Sequence, residues 1–233
     1  MGEWKWQRGD AIADDIAWLE SVGTSRGGGW NPRAGAFADR TWVLHPIYEN
    51  ISERRNLNEA VAGDRVPWVE IWRRNGVTLG EGMLYPPSFT WLIGPGARTQ
   101  RDGVFARETL IPPVEDTTDA ETLDALLPLL PGGDGAVHAV WDILAAAQIR
   151  HEPIENDGYE VIGAHASLEE ITKVTTLLGG GLHTPSNFWP EDRSWLVVTG
   201  IDMWATEVFG SSELIASLEA APDLESLRWS PPG

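Results

Sequence analysis

Apolar residues recur along this chain at two spacings, and the changes from one to the other divide it into elements. Over 10–22, Ile12, Ile16 and Leu19 fall at i, i+4 and i+7, which predicts a helix ended by Gly23. The Gly-rich stretch 24–35 lacks the terminal Gly-Lys-Ser/Thr of a phosphate loop and reads as a flexible connector. Residues 41–48 form a short apolar run broken by Pro46, which predicts an edge strand or an irregular segment. Leu57 and Val61 fit a helix over 51–62. Residues 67–72 then alternate as a strand does, and Asn75-Gly76 supplies a hairpin turn toward 77–79. Two more strand candidates, 89–93 and 104–111, make the first half β-rich.

Pro112-Pro113 breaks the pattern, and Thr118 with Glu121 three residues on forms a capping box. It opens a helix through Leu130 that Pro131-Gly132-Gly133 ends. Over 136–149, Val137, Val140, Trp141 and Leu144 keep helical spacing. The clearest pattern is C-terminal. Residues 159–165 read as a strand, and Ser167 with Glu170 is a second capping box. The helix it opens carries Leu168, Ile171, Val174 and Leu178 and stops at Gly179-Gly180-Gly181. The runs 195–198 and 204–209 flank Gly200-Ile201-Asp202 as a hairpin. A helix over 212–221, with Ser211 and Ser212 as its caps, stops at Pro222, and 224–229 is the last strand. That order, βαββαβ, is the split arrangement of ferredoxin-like domains. The expected fold is α+β: a β-rich region over 1–115 and an acidic ferredoxin-like domain over 116–233.

Charge sharpens this division. The net charge is −18, yet residues 1–115 carry 13 Lys/Arg against 15 Asp/Glu, whereas 116–233 carry 4 against 20. Such a concentrated field speeds encounter with a basic partner protein and disfavours nucleic acid. Solubility alone yields the same surplus. Tryptophan, at 13, outnumbers phenylalanine (5) and tyrosine (3) together. Most of these rings belong in the core, but a few exposed ones would form the kind of patch found at interface hot spots. The absence of cysteine removes disulfides, thiolate metal sites and thiol nucleophiles. No apolar run approaches the ~18 residues that span a bilayer, and the first residues hold no apolar secretory segment. A cytoplasmic protein with no membrane partner is expected.

Candidate chemistry is sparse. None of the five histidines (His45, His138, His151, His165, His183) makes a His-Glu-x-x-His motif or an i, i+4 pair, so spacing predicts neither a metal centre nor a cofactor. The densest polar group, residues 151–157, offers His151, Glu155 and Asp157 to a hydrolase, or is simply a solvated loop. His165, at a strand end, reads as a half-buried, hydrogen-bonded histidine. No Gly-x-Ser-x-Gly elbow is present. In the loop Trp189-Pro190-Glu191-Asp192-Arg193, a carboxylate pair beside an aromatic suits a basic side chain or a sugar, or forms an internal ion pair.

The WPEDRSW segment, the strand and Gly200-Ile201-Asp202 turn after it, and GSSELIASL resemble the C-terminal region of uncharacterised actinobacterial proteins. Members of such families often resemble immunity proteins that neutralise the toxins of competing bacteria. The likeness covers about 183–229, a fifth of the chain. It implies a protein-binding inhibitor that occludes the basic active site of a toxin. On that reading Trp189, Glu191, Asp192 and Asp202 form the binding surface. The alternatives are the hydrolase above and a structural or assembly protein.

Overall fold

The computed structural model describes residues 6–7, 10–26, 29–33, 35–49, 64–74, 76, 78–81, 113, 117–132, 136–141, 154–156, 159–170, 184–200 and 203–229. In chain order the elements begin with β1 (Trp6–Gln7), α1 (Asp10–Val22), β2 (Gly23–Arg26), β3 (Gly29–Pro32) and β4 (Asp39–Leu44). Next come β5 (Ile47–Glu49), β6 (Asp64–Val66), α2 (Trp68–Arg74) and α3 (Ala120–Leu126), which runs on as a tight turn over Leu127–Leu129. The remainder is β7 (Ala136–Trp141), β8 (Ile154–Asn156), β9 (Tyr159–Ser167), β10 (Asn187–Pro190), β11 (Leu196–Val198), β12 (Ala205–Gly210), α4 (Ser212–Ala220) and β13 (Ser226–Leu227). The fold is α+β. Nine strands share one sheet in the order β1-β9-β7-β10-β11-β12-β4-β13, with β8 added on β9. Among the described residues the pairings are antiparallel.

Helices cover both faces of this sheet. Val140, Trp189, Leu196, Val198 and Phe209 meet Ile12, Ile16 and Leu19 of α1 on one side. Val137, Ala139, Phe188, Val197 and Val208 meet Leu123 and Leu126 of α3 and Leu214, Ile215 and Leu218 of α4 on the other. Strand parity puts Trp42 and Leu44 on the α1 side, where they pack with Trp68, Ile71 and Trp72 of α2. With both faces covered, all six residues of β12 are buried. The packing is closest where α1 crosses β9: a Cβ on Gly163 would lie 2.7 Å from Ile12 Cγ2. Gly163→Ala is therefore expected to destabilise by the ~1–3 kcal/mol typical of overpacking. Urea unfolding reads this directly, and an unchanged midpoint would mean that α1 is not seated as described.

The helix α1, the hairpin of β11 and β12, and α4 lie where the apolar pattern places them. The hairpin pairs Leu196 with Phe209 and Val197 with Val208. Ser211 caps α4, its side chain accepting from Leu214 N at 3.2 Å. The capping box at the end of β9 also forms, with Ser167 N donating to Glu170 Oε2 at 3.1 Å.

Other expectations are corrected. Residues 136–141 are a strand, not the start of a helix: β7 is buried on both faces, so Val137, Val140 and Trp141 satisfy either period. Residues 68–74 are a helix, not a strand. Trp68, Ile71 and Trp72 fall on its buried face, and Glu225 caps its start by accepting from Trp68 N at 2.7 Å and Val69 N at 2.8 Å. The hairpin expected at Asn75-Gly76 loses its first strand to this helix, and Asn75 itself lies outside the described residues. Residues 41–44 are no edge, because β4 lies between β12 and β13. The Gly-rich connector contains the β2–β3 ladder. The cap of α3 is Asp119, whose Oδ1 accepts from Thr122 N at 2.9 Å, rather than Thr118, which is buried.

The βαββαβ arrangement would set residues 159–165 beside the later strands of the unit. Here β9 pairs with β1, β7 and β8, and the additional strand β10 joins β7 to β11. The sheet draws strands from both sides of the break expected at 115 and 116, since β4 pairs with β12 and β13. The expected helix 51–62, the strands 89–93 and 104–111, and the helix beyond residue 170 lie outside the described residues.

Candidate functional site

Asp15 and Trp18 lie three residues apart on α1, so both side chains leave the helix on neighbouring azimuths. Beneath them the sheet register sets Trp189 opposite His138 and His138 opposite His165, one row across β10, β7 and β9. Directly paired residues point to the same face, and this row faces α1. The Trp18 and Trp189 ring centroids are 4.9 Å apart. His138 stacks parallel to Trp189, at 5.5 Å and 6°, and meets His165 edge-on at 3.9 Å. Asp15 reaches both imidazoles. Its Oδ1 is 2.9 Å from His138 Nδ1, and its Oδ2 is 3.4 Å from His165 Nε2. Asp15 is buried, His138 mostly so, and the His165 side chain is 41% exposed, so the cluster opens to solvent at one histidine.

Beside this row the chain leaves β10 through an exposed rim, residues 191–194. Arg193 takes the left-handed conformation (φ 59°), and its N–H donates to Pro190 O at 2.9 Å. Its guanidinium lies over Trp18, 5.2 Å from the ring centroid. Ser194 N donates to Asp192 Oδ1 at 3.0 Å, and hydrogen bonds from Ser194 hold the Asp192 carboxyl below its usual range. Glu191 and Asp192 are thus presented on a turn tied down at two points.

Trp189, expected at a binding surface, is fully buried beneath the rim. A ring at alternate parity on a strand covered by a helix goes into the core, and its role is support. Residues 187–190 belong to a strand, so of the expected loop only 191–193 lie outside it. Asp202, His151 and Asp157 lie outside the described residues, and Glu155 falls within β8. Of the residues singled out in the sequence, the structure joins Glu191 and Asp192 on one rim, with Trp189 under it.

No protein-family model matches the chain, no curated protein matches it, and no solved structure matches it. Among the described residues no helix is long and apolar enough to cross a membrane.

Two imidazoles and a carboxylate at this separation are able to share a proton or ligate a cation. Sequence spacing misses them because they come from one helix and two strands far apart in the chain. The signal that would have found them is the antiparallel register of β7 on β9, which requires reading residues 136–141 as a strand. A separate cavity of about 350 Å³ is lined by Arg33, Arg40, Arg228, Phe37, Phe209 and Trp229. Its cations are already engaged. Arg40 pairs with Glu207 at 3.2 Å, Arg228 with Asp39 at 3.0 Å, and Arg33 donates to the carbonyls of Glu20 and Gly23.

Proposed function

We propose that this chain acts by binding a partner protein with a basic face, as an immunity-type inhibitor that covers the active site of a toxin. The observation that supports it is the rim: Glu191 and Asp192 stand exposed on a turn fixed by Arg193 and Ser194, in a chain of net charge −18. A carboxylate pair held in place loses little freedom when it meets a cation, so more of the Coulomb gain survives as affinity. Among the described residues the exposed large hydrophobic is Val69, on α2, and no aromatic accompanies it. Among the described residues, charge rather than an exposed tryptophan patch is therefore the recognition element of this reading.

The expected result is an association rate that falls steeply as salt rises, because exposed charges are screened beyond ~8–10 Å at 0.1–0.15 M ionic strength. Glu191→Lys with Asp192→Asn, which keeps the Oδ1 acceptor for Ser194, should slow association while leaving stability within about 0.5 kcal/mol. The partner is recovered by pull-down from the source organism or a competitor, and its binding is then followed by stopped flow at several salt concentrations. An acidic partner whose on-rate ignores salt would reduce the charge surplus to a solubility device and remove the reading.

A further inference from the structure

We propose that Asp15, His138 and His165 form a binding site for a divalent transition-metal ion, zinc foremost, with one coordination position left open. The inference is independent of the partner protein discussed above.

The three side chains each offer one ligand atom, and these atoms all lie within 4.8 Å of one another. Ligands about 2.0–2.2 Å from a tetrahedral zinc stand roughly 3.3 Å apart. Asp15 Oδ1 is 2.9 Å from His138 Nδ1, and its other oxygen, Oδ2, is 3.4 Å from His165 Nε2, so each imidazole stands near that value from one carboxylate oxygen. Bringing one carboxylate oxygen and both nitrogens to that spacing takes rotation of side chains already in contact, closing separations of up to 4.8 Å. The His138 contact carries a further indication. Its Nδ1 atom is buried and makes no hydrogen bond, although Asp15 Oδ1 is only 2.9 Å away. Off the line of a direct hydrogen bond, this nitrogen and the carboxylate beside it are available to a shared cation.

Ligand chemistry selects the class of ion. Imidazole nitrogen suits zinc, copper, nickel and iron, whereas calcium and magnesium demand a shell of oxygens. One carboxylate with two neutral imidazoles gives the site a charge of −1, in a chain whose overall field concentrates cations. Orientation is supplied from outside the ligand set. The Trp189 ring lies parallel to His138 at 6° and holds the plane of that imidazole by stacking. Three protein ligands leave tetrahedral zinc one position short, and the exposed side of His165 lets water fill it. The ligands span α1, β7 and β9, so the ion would pin the helix to the sheet.

The test uses the full chain, stripped with chelator and titrated with zinc in a calorimeter. One ion per chain is expected, with a rise in thermal unfolding temperature as free zinc exceeds its Kd. Substitution with Co²⁺ should give the intense visible absorption of four-coordinate cobalt. His165→Gln, at an exposed position, should keep the apo fold and weaken zinc binding by more than the roughly 10–100-fold typical of losing an outer partner. Asp15→Asn and His138→Gln should do the same, with apo unfolding curves run alongside to separate lost ligation from lost structure. Absence of saturable zinc binding by the wild-type chain overturns the proposal. So does zinc affinity that His165→Gln leaves unchanged, or a cobalt spectrum of the weak six-coordinate kind.

Discussion

Trp189→Ala is expected to cost about 3–5 kcal/mol of folding stability, the range for deleting a buried aromatic. The indole is fully buried, wedged between Trp18 at 4.9 Å and His138 at 5.5 Å, and it packs with Ile12, Ile16 and Leu19 through the same layer. A domain has only about 5–15 kcal/mol in total, so the variant should be unfolded or nearly so at physiological temperature. Trp189→Phe, which keeps a ring in the stack, should lose distinctly less. Urea unfolding of both variants decides the matter. If Trp189→Ala costs under about 1 kcal/mol, the helix α1 does not cover β10 as described. With the larger loss, any failure of Trp189→Ala to bind a partner has to be read against its unfolding curve before a contact is inferred.

A pH profile with two opposed slopes is the second large effect. His45 is buried, with its Nε2 2.8 Å from Thr206 Oγ1, which also lies 2.7 Å from Thr118 Oγ1 and 2.8 Å from Thr199 Oγ1. Among the described residues no charged group stabilises an imidazolium there, and burial pushes its pKa from 6.5 down to about 3. Between those values the unfolded chain binds a proton that the folded chain refuses. Stability present above pH 6.5 is therefore lost as pH falls, by roughly 3–6 kcal/mol at about 1.4 kcal/mol per unit. The neighbouring Glu207 has the reverse sign. Burial raises its pKa from 4.5 to about 7 against the pull of Arg40, so the folded chain holds the extra proton. Its contribution is full below pH 4.5 and lost as pH rises toward 7.

From about pH 4.5 to 6.5 the two terms largely cancel, and each variant should uncover the other. The stability of His45→Gln relative to wild type should rise as pH falls from 6.5. That of Glu207→Gln should rise as pH climbs from 4.5 to 7. Reading the slope of each difference, rather than its size at one pH, removes any packing cost of the substitution. Differences that stay flat across pH 3–8 would show that neither group keeps its shifted proton affinity.

The sequence makes some of this legible and hides the rest for physical reasons. Helix α1 presents one face to the sheet, so Ile12, Ile16 and Leu19 announce their period. The β11–β12 hairpin is legible because two apolar runs flank a Gly-containing turn. The strand β7 is not, because burial on both faces erases the alternation that would separate it from a helix. Helix α2 is short, rich in residues that also suit strands, and capped by Glu225 from far along the chain. Glu191 and Asp192 are visible as an exposed acidic pair. Whether Trp189 points out or in depends on strand parity, which no local window records. The Asp15–His138–His165 cluster exists only once α1 lies on the sheet and β7 has found its register on β9.

The position of β4 also has a consequence for how the chain is made. Its two neighbours, β12 and β13, are both C-terminal, and the contact that follows it, His45 to Thr206, spans 161 residues. At ~5–20 residues per second, roughly 8–30 s of translation separate β4 from its first neighbour. Through that interval Trp42, Val43 and Leu44 leave the ribosome without the strands that will cover their backbone. Closure of the sheet around β4 waits on these later strands by topology, and nascent chains arrested before residue 205 should depend on a holding chaperone to stay dispersed.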